Sequence, residues 1–187
     1  MDHYHFIIQA DRCVACYACR AACFQENRRS QGDLPRRSVS EQEGVSGRPV
    51  YLSMACNHCQ NPVCVSICPH NNYTKRRDGV VVHDDTHCEG CKLCAEACPF
   101  QAPQYNPVTR KVDKCHFCHE RLDEGMSPVC VDACPTDALT YAKMPVTAQP
   151  GHRYPGNDVP ISRFTELAIV IKHRQSSVNS YRSGGLR

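Results

Sequence analysis

Cysteine decides what chemistry this chain can carry. Sixteen of its 187 residues are cysteines, in four groups of four with none left over: Cys13, Cys16, Cys19 and Cys23; Cys56, Cys59, Cys64 and Cys68; Cys88, Cys91, Cys94 and Cys98; Cys115, Cys118, Cys130 and Cys134. Each group opens with C-x-x-C and closes with C-x-x-x-C, and three of the four end in Cys-Pro, at 68–69, 98–99 and 134–135. Two groups, CVACYACRAAC and CEGCKLCAEACP, follow the C-x2-C-x2-C-x3-C run that holds cubane iron–sulfur clusters. Three thiolates two residues apart can wrap one face of a cubane, but the fourth ligand must come from elsewhere in the chain. In such runs it is the last cysteine of the partner motif, so motifs act in pairs. Four motifs predict four [4Fe–4S] clusters.

The second and third groups lie close together, from Cys56 to Cys98, and predict an inner ferredoxin-like module, with the first and fourth groups paired around it as an outer one. The crossed-ligand rule then adds Cys134 to Cys13, Cys16 and Cys19, and Cys23 to Cys115, Cys118 and Cys130. Likewise Cys98 joins Cys56, Cys59 and Cys64, and Cys68 joins Cys88, Cys91 and Cys94. Iron is thus bound through the same sixteen cysteines. With thiolates closing every site, no coordination position is left for substrate. That points to one-electron transfer and predicts no catalytic residue in this chain.

Two other uses of cysteine compete. A disulfide scaffold belongs in a short secreted chain, whereas this one opens MDHYHFIIQADRC, without the apolar region or cleavage site of a signal peptide. Zinc suits Cys115, Cys118, Cys130 and Cys134 taken alone, but the tight runs Cys13 to Cys23 and Cys88 to Cys98 are hard to close around one ion. A zinc-stapled interaction module is the weak alternative. His58 lies inside the second motif, and His116 and His119 flank Cys118; with the cysteine sets complete, these are expected around the sites and not as ligands. Lys92, Lys111, Lys114 and Arg121 lie near motifs and could raise cluster potentials locally, but since Lys and Arg are mostly exposed each is expected as an ordinary surface cation.

No G-x-G-x-x-G, phosphate loop or nucleophile elbow occurs, so no nucleotide or flavin site is expected. The net charge of +3 is too balanced for a nucleic-acid partner or a polybasic membrane anchor. The apolar run Leu167 to Ile171 falls far short of the about 20 residues of a spanning helix, so no direct membrane span is predicted.

The elements that must present these cysteines are short, and the expected fold class is α+β. Strands are predicted at His5 to Ile8, Pro49 to Leu52, Gly79 to His83 and Ala138 to Tyr141, with brief helices from Cys19 to Asn27 and Cys94 to Pro99. The outer module is placed at 1–30 plus 108–143 and the inner one at 50–107. Between them 31–49, polar and rich in Arg, Ser, Glu and Gly, reads as a surface loop. Residues 144–187 read as a disordered tail or as an irregular extended arm that orders along a partner subunit, with one strand at Leu167 to Lys172. With no Trp and only 7% aromatic residues, a large apolar core is not on offer. Metal must supply much of the organisation, and the apo-chain is expected to be loose.

The stretches CNHCQNPVCVSICP, DGVVVHDDTHCEGCKLCAEACPFQAPQYN and KCHFCHERLDEGMSPVCVDACPTDAL resemble the iron–sulfur electron-transfer subunit of dimethyl sulfoxide reductase-type molybdenum enzymes, over about residues 4 to 143. Similar subunits serve polysulfide, thiosulfate, tetrathionate and nitrite reductases and formate dehydrogenases. The resemblance implies a non-catalytic relay subunit. Four cubanes would stand in a line between a molybdopterin-guanine-dinucleotide catalytic subunit and an integral-membrane quinone-reacting subunit or another redox partner. It implies the order Cys13/16/19/134, Cys115/118/130/23, Cys56/59/64/98 and Cys88/91/94/68, starting at the catalytic subunit. Some relatives replace a motif cysteine by Trp and hold a three-iron cluster; every motif cysteine is intact here. Membrane association would come through partners, on the cytoplasmic side or by co-export, since no twin-arginine signal precedes the first motif. The alternative is a stand-alone polyferredoxin or the relay of a soluble hydrogenase or formate dehydrogenase.

Overall fold

The computed structural model describes residues 2–43, 48–145 and 169–172. The chain forms a mixed α/β structure of short elements threaded between cysteine loops. Strand β1 (Asp2–Gln9) leads into the first motif and helix α1 (Ala18–Asn27) carries it onward. Strands β2 (Ser38–Glu43) and β3 (Pro49–Met54) form an antiparallel hairpin before the second motif. Then come helix α2 (Val63–Ile67), the hairpin of β4 (Tyr73–Lys75) and β5 (Val81–His83), helix α3 (Leu93–Ala97) and the hairpin of β6 (Gln104–Asn106) and β7 (Lys111–Asp113). The fourth motif spans helices α4 (His119–Asp123) and α5 (Val129–Asp132), followed by strands β8 (Leu139–Pro145) and β9 (Ile169–Lys172).

Proline punctuates the cysteine helices. Pro62 and Pro128, with φ of −78° and −57°, stand immediately before α2 and α5, where a fixed φ and a missing N–H suit a helix start. Cys68 and Cys98, each preceding a proline, are forced into extended backbone, with ψ of 114° and 115°, and this ends α2 and α3. Helix α3 therefore stops at Ala97, short of the expected Pro99.

One sheet joins the two ends of the described chain. Strand β1 pairs antiparallel with β8, setting Phe6 opposite Tyr141 and Ile8 opposite Leu139, and parallel with β9, from Phe6–Ile169 to Gln9–Lys172. Phe6 and Ile8 are buried in the larger of two core clusters, with Leu52, Val80, Phe117, Leu139 and five cysteines. The smaller cluster holds Cys64, Tyr73, Val81, Cys94 and Val112. The strand expected at Leu167 to Lys172 thus lies along β1 of its own chain, while 146–168 and 173–187, where an irregular tail was expected, lie outside the described residues.

Several expectations need correcting. Strand β2 falls inside 31–49, where a loop was expected: its composition is polar, but backbone pairing with the apolar β3 (Ser40 opposite Leu52, Gln42 opposite Val50) overrides that. Gly79 opens no strand; at φ 85° it makes the β4–β5 turn, and an added Cβ there would meet the His3 side chain at 2.5 Å. Lys114 is no surface cation, being 1% exposed.

Candidate metal centres

Each motif is shaped by left-handed backbone. The residue two after the first cysteine has positive φ in all four: Ala15 (53°), His58 (45°), Gly90 (68°) and Phe117 (60°). So do the residues three after the last cysteine in the Cys-Pro motifs, Asn71 (53°), Gln101 (51°) and Asp137 (52°), where a return amide bonds to the cysteine carbonyl. Such kinks turn successive N–H groups inward, making an anion-binding concavity. The amides of His58, Phe117 and Leu139 accordingly donate to the thiols of Cys56, Cys115 and Cys134, each at 3.4 Å. The third cysteine of every motif rides a short helix: Cys19 on α1, Cys64 on α2, Cys94 on α3 and Cys130 on α5. In the fourth motif Arg121 closes the long insertion, donating to the Ser127 carbonyl (2.8 Å) and to Asp132 (2.8 Å).

The folded chain gathers the sixteen thiols into four nests, and none is in a disulfide. Cys13, Cys16, Cys19 and Cys134 line one cavity, and Cys56, Cys59, Cys64 and Cys98 another. Cys23 faces Cys115, Cys130 and Cys118. Cys94 faces Cys88, Cys91 and Cys68. Burial, and then the mutual repulsion of neighbouring thiolates, pushes Cys59 up to about 12 and raises Cys23 as well. Cys64 and Cys118 also reach about 12, with burial the leading cause, although the nearby cations Lys114 and Arg121 oppose the rise at each. Cys134 goes the other way, because backbone N–H groups of Leu139, Thr136 and Ala138 outweigh its burial. Converging thiols, most of them shielded from water, cannot all ionise by themselves. A metal centre inverts that, since a coordinating thiol is deprotonated outright.

Buried polar atoms around the nests fit such a centre. Arg37 Nε and Nη2, the Asn57 amide, His58 Nε2 and the Tyr73 hydroxyl are buried without a hydrogen-bond partner. Asn57 lines the cavity of Cys56, and Tyr73 lies beside Cys94. Native interiors satisfy nearly all such groups, so the orphans suit the acceptor sulfurs of a cluster. His58 stands behind the thiols: its Nδ1 accepts from the Val81 amide (3.0 Å), and burial holds its pKa well below the ordinary value, leaving the proton on Nε2. Sequence reasoning missed Arg37 and Phe117. Arg37 sits in a polar run that looks solvated; Phe117, fully buried and stacked on Phe6 at 4.0 Å, occupies a loop position within a motif.

Comparison with known proteins decides between iron–sulfur and zinc. Residues 48–144 match the sequence family described as a 4Fe-4S dicluster domain. A component of the anaerobic dimethyl sulfoxide reductase of Escherichia coli (strain K12) is 36% identical over 186 residues, covering 93% of this chain and 90% of that protein. The chain belongs to the iron–sulfur subunits of the dimethyl sulfoxide reductase family. Other relatives of this iron–sulfur subunit are a tetrathionate reductase subunit of Salmonella typhimurium, 38% identical over 70% of this chain and 54% of that protein, and the thiosulfate reductase electron transfer subunit of Salmonella typhi, 35% identical over 76% and 77%. Among the described residues of the iron–sulfur subunit, no helix is long and apolar enough to cross a membrane.

Proposed function

We propose that this chain is a non-catalytic relay that passes single electrons through four [4Fe–4S] clusters. The ligand sets are Cys13, Cys16, Cys19 and Cys134; Cys115, Cys118, Cys130 and Cys23; Cys56, Cys59, Cys64 and Cys98; and Cys88, Cys91, Cys94 and Cys68. The convergence of crossed thiols in common nests carries this reading: a last cysteine from one motif lines the cavity of three from another. Two nested ferredoxin-like modules follow, an outer one of 1–30 plus 108–143 and an inner one of 50–107, supported by the pairing of β1 with β8. When bound, the clusters supply reversible one-electron chemistry. The chain supplies closed thiolate cages, inward N–H groups and exclusion of water.

The partners are a molybdopterin-guanine-dinucleotide catalytic subunit at the Cys13/16/19/134 end and a quinone-reacting membrane subunit, or another redox partner, at the Cys88/91/94/68 end. Support comes from exposure: Cys16 and Cys91 are the two exposed cysteines of the sixteen. Apolar Val14 and Tyr17 stand open beside the first and Leu93 beside the second, as docking faces require. Membrane association then comes through the partners.

Iron and sulfide analysis of the anaerobically purified chain is expected to return about sixteen iron atoms, four per cubane; stoichiometric zinc would end the redox reading. Cys134→Ser is expected to alter the paramagnetic signal of the first motif's cluster. A loss confined to the fourth motif's own cluster would sink the crossing. Purification of the native protein is expected to bring a molybdopterin subunit with it, and a solitary chain would favour the polyferredoxin.

A further inference from the structure

Two of the most deeply buried side chains in the molecule are cations. Arg37 is 2% exposed and Lys114 1%. Burying a charge is costly unless an opposite charge answers it. Yet neither has a carboxylate partner among the described residues. Arg37 Nη1 donates to the Ser53 carbonyl (2.8 Å) and hydroxyl (3.1 Å), while its guanidinium lies 4.6 Å from the centre of the Phe6 ring. Lys114 Nζ donates to the carbonyls of Val81 and, at 2.8 Å, Cys115. All of these acceptors are neutral.

The charges that answer them are thiolates. Burial opposes the charge on Arg37, but Cys130, Cys115, Cys19 and Cys23 together hold its pKa above the ordinary value. Those four cysteines belong to two nests, the first (Cys19) and the second (Cys130, Cys115, Cys23). The link to the first is also a hydrogen-bonded one, because the Ser53 hydroxyl that receives Arg37 Nη1 sits 3.1 Å from Cys19 Sγ. Two further N–H groups of Arg37, on Nε and Nη2, have no protein partner. Lys114 lines the cavity of Cys56, Cys59, Cys64 and Cys98, the third nest. Lys75 adds a half-buried ammonium there, donating to the Cys59 carbonyl at 2.6 Å. The fourth nest has no buried cation among the described residues; exposed Lys92 stands instead over the Tyr105 ring at 4.2 Å.

We propose that Arg37 and Lys114 are potential-setting residues, Arg37 serving the first and second nests jointly and Lys114 the third. The inference rests on the four-cluster reading. A nest that takes one electron from its neighbour or from a redox partner gains one negative charge, and a fixed cation a few ångströms away in a low-dielectric interior favours that form. Because Arg37 faces two nests, its charge favours the reduced form of both, and its loss should lower both potentials together.

Redox titration followed by paramagnetic resonance, on the anaerobically purified full chain with signals assigned by cysteine-to-serine variants, tests this. Arg37→Gln is expected to weaken electron affinity at least tenfold, about 59 mV for a one-electron couple, at the first and second clusters. Arg37→Lys, which keeps the charge, should stay close to the parent. Lys114→Met should weaken the third cluster, and the fourth should hold its potential in every variant. Full-iron Arg37→Gln with unchanged potentials would overturn the proposal, as would an Arg37→Lys shift as large as that of Arg37→Gln. Should Arg37→Gln fail to hold its iron, Lys114→Met decides: a full-iron variant whose third cluster keeps its potential overturns the proposal. A parent chain without its four clusters overturns the relay reading instead.

Discussion

At the scale of single residues, the motifs are built from conformations that most side chains resist. Among the described residues ten non-glycine ones have positive φ, and most sit at fixed offsets from a motif cysteine. Each costs on the order of 1–3 kcal/mol, tolerated where the surroundings over-determine the backbone. Gly90 alone among the four equivalent loop positions is glycine, because a Cβ there would fall 2.0 Å from the Arg110 carbonyl oxygen. Gly90→Ala should therefore destabilise the chain by about 2 kcal/mol or more and deplete the third motif's iron, whereas Ala15→Gly, at φ 53°, should be neutral or stabilising. Thermal unfolding with iron counts on both variants checks this, and equal behaviour would refute it. His83 carries a pH prediction. Burial, aided by Lys114 and opposed by Asp113, Asp85 and Asp84, lowers its pKa from 6.5 to about 4. The unfolded chain then binds the proton more readily, so stability is full above pH 6.5 and falls as pH drops towards 4. His83→Gln should flatten the dependence of melting temperature on pH across that window; an unchanged slope would count against it.

At the scale of elements, the cysteine helices are too short to stand by themselves, at four to five residues each apart from the ten of α1. Packing and prolines hold them. Strand β1 does the long-range work, since its pairing with β8 ties the first motif to the end of the fourth. Ile8, 1% exposed and opposite Leu139, is the central contact. Ile8→Ala should cost about 2–5 kcal/mol, and the signals of the first and fourth motifs should weaken together while that of the third persists. Uniform loss of all four would show that the two cores are not separable. The second core rests on Tyr73, Val81 and Val112, one from each of β4, β5 and β7.

At the scale of the whole molecule, the larger core counts Cys19, Cys23, Cys56, Cys115 and Cys130 among its buried residues. A core that is substantially thiol lacks the apolar surface to fold by itself, and metal binding becomes folding free energy. Anaerobic removal of iron by a chelator should abolish cooperative unfolding and much of the far-ultraviolet dichroism; an apo-chain that still melts cooperatively would show that apolar packing suffices. The sequence by itself determined the number of thiolates, their loop-wrapped grouping, the helices α1 and α3 and the strands β1, β3 and β8, because ligand spacing and turn chemistry act over a few residues. It concealed β2 behind polar composition, and it carried no sign that Lys114 and Arg37 are interior, since a cation in a polar run looks the same whether solvated or buried. Only the tertiary structure brings Cys134 beside Cys13 and sets a guanidinium between two nests. Those neighbours are far apart along the chain, and their meeting depends on how β1 and β8 pair, a long-range choice that no local pattern encodes.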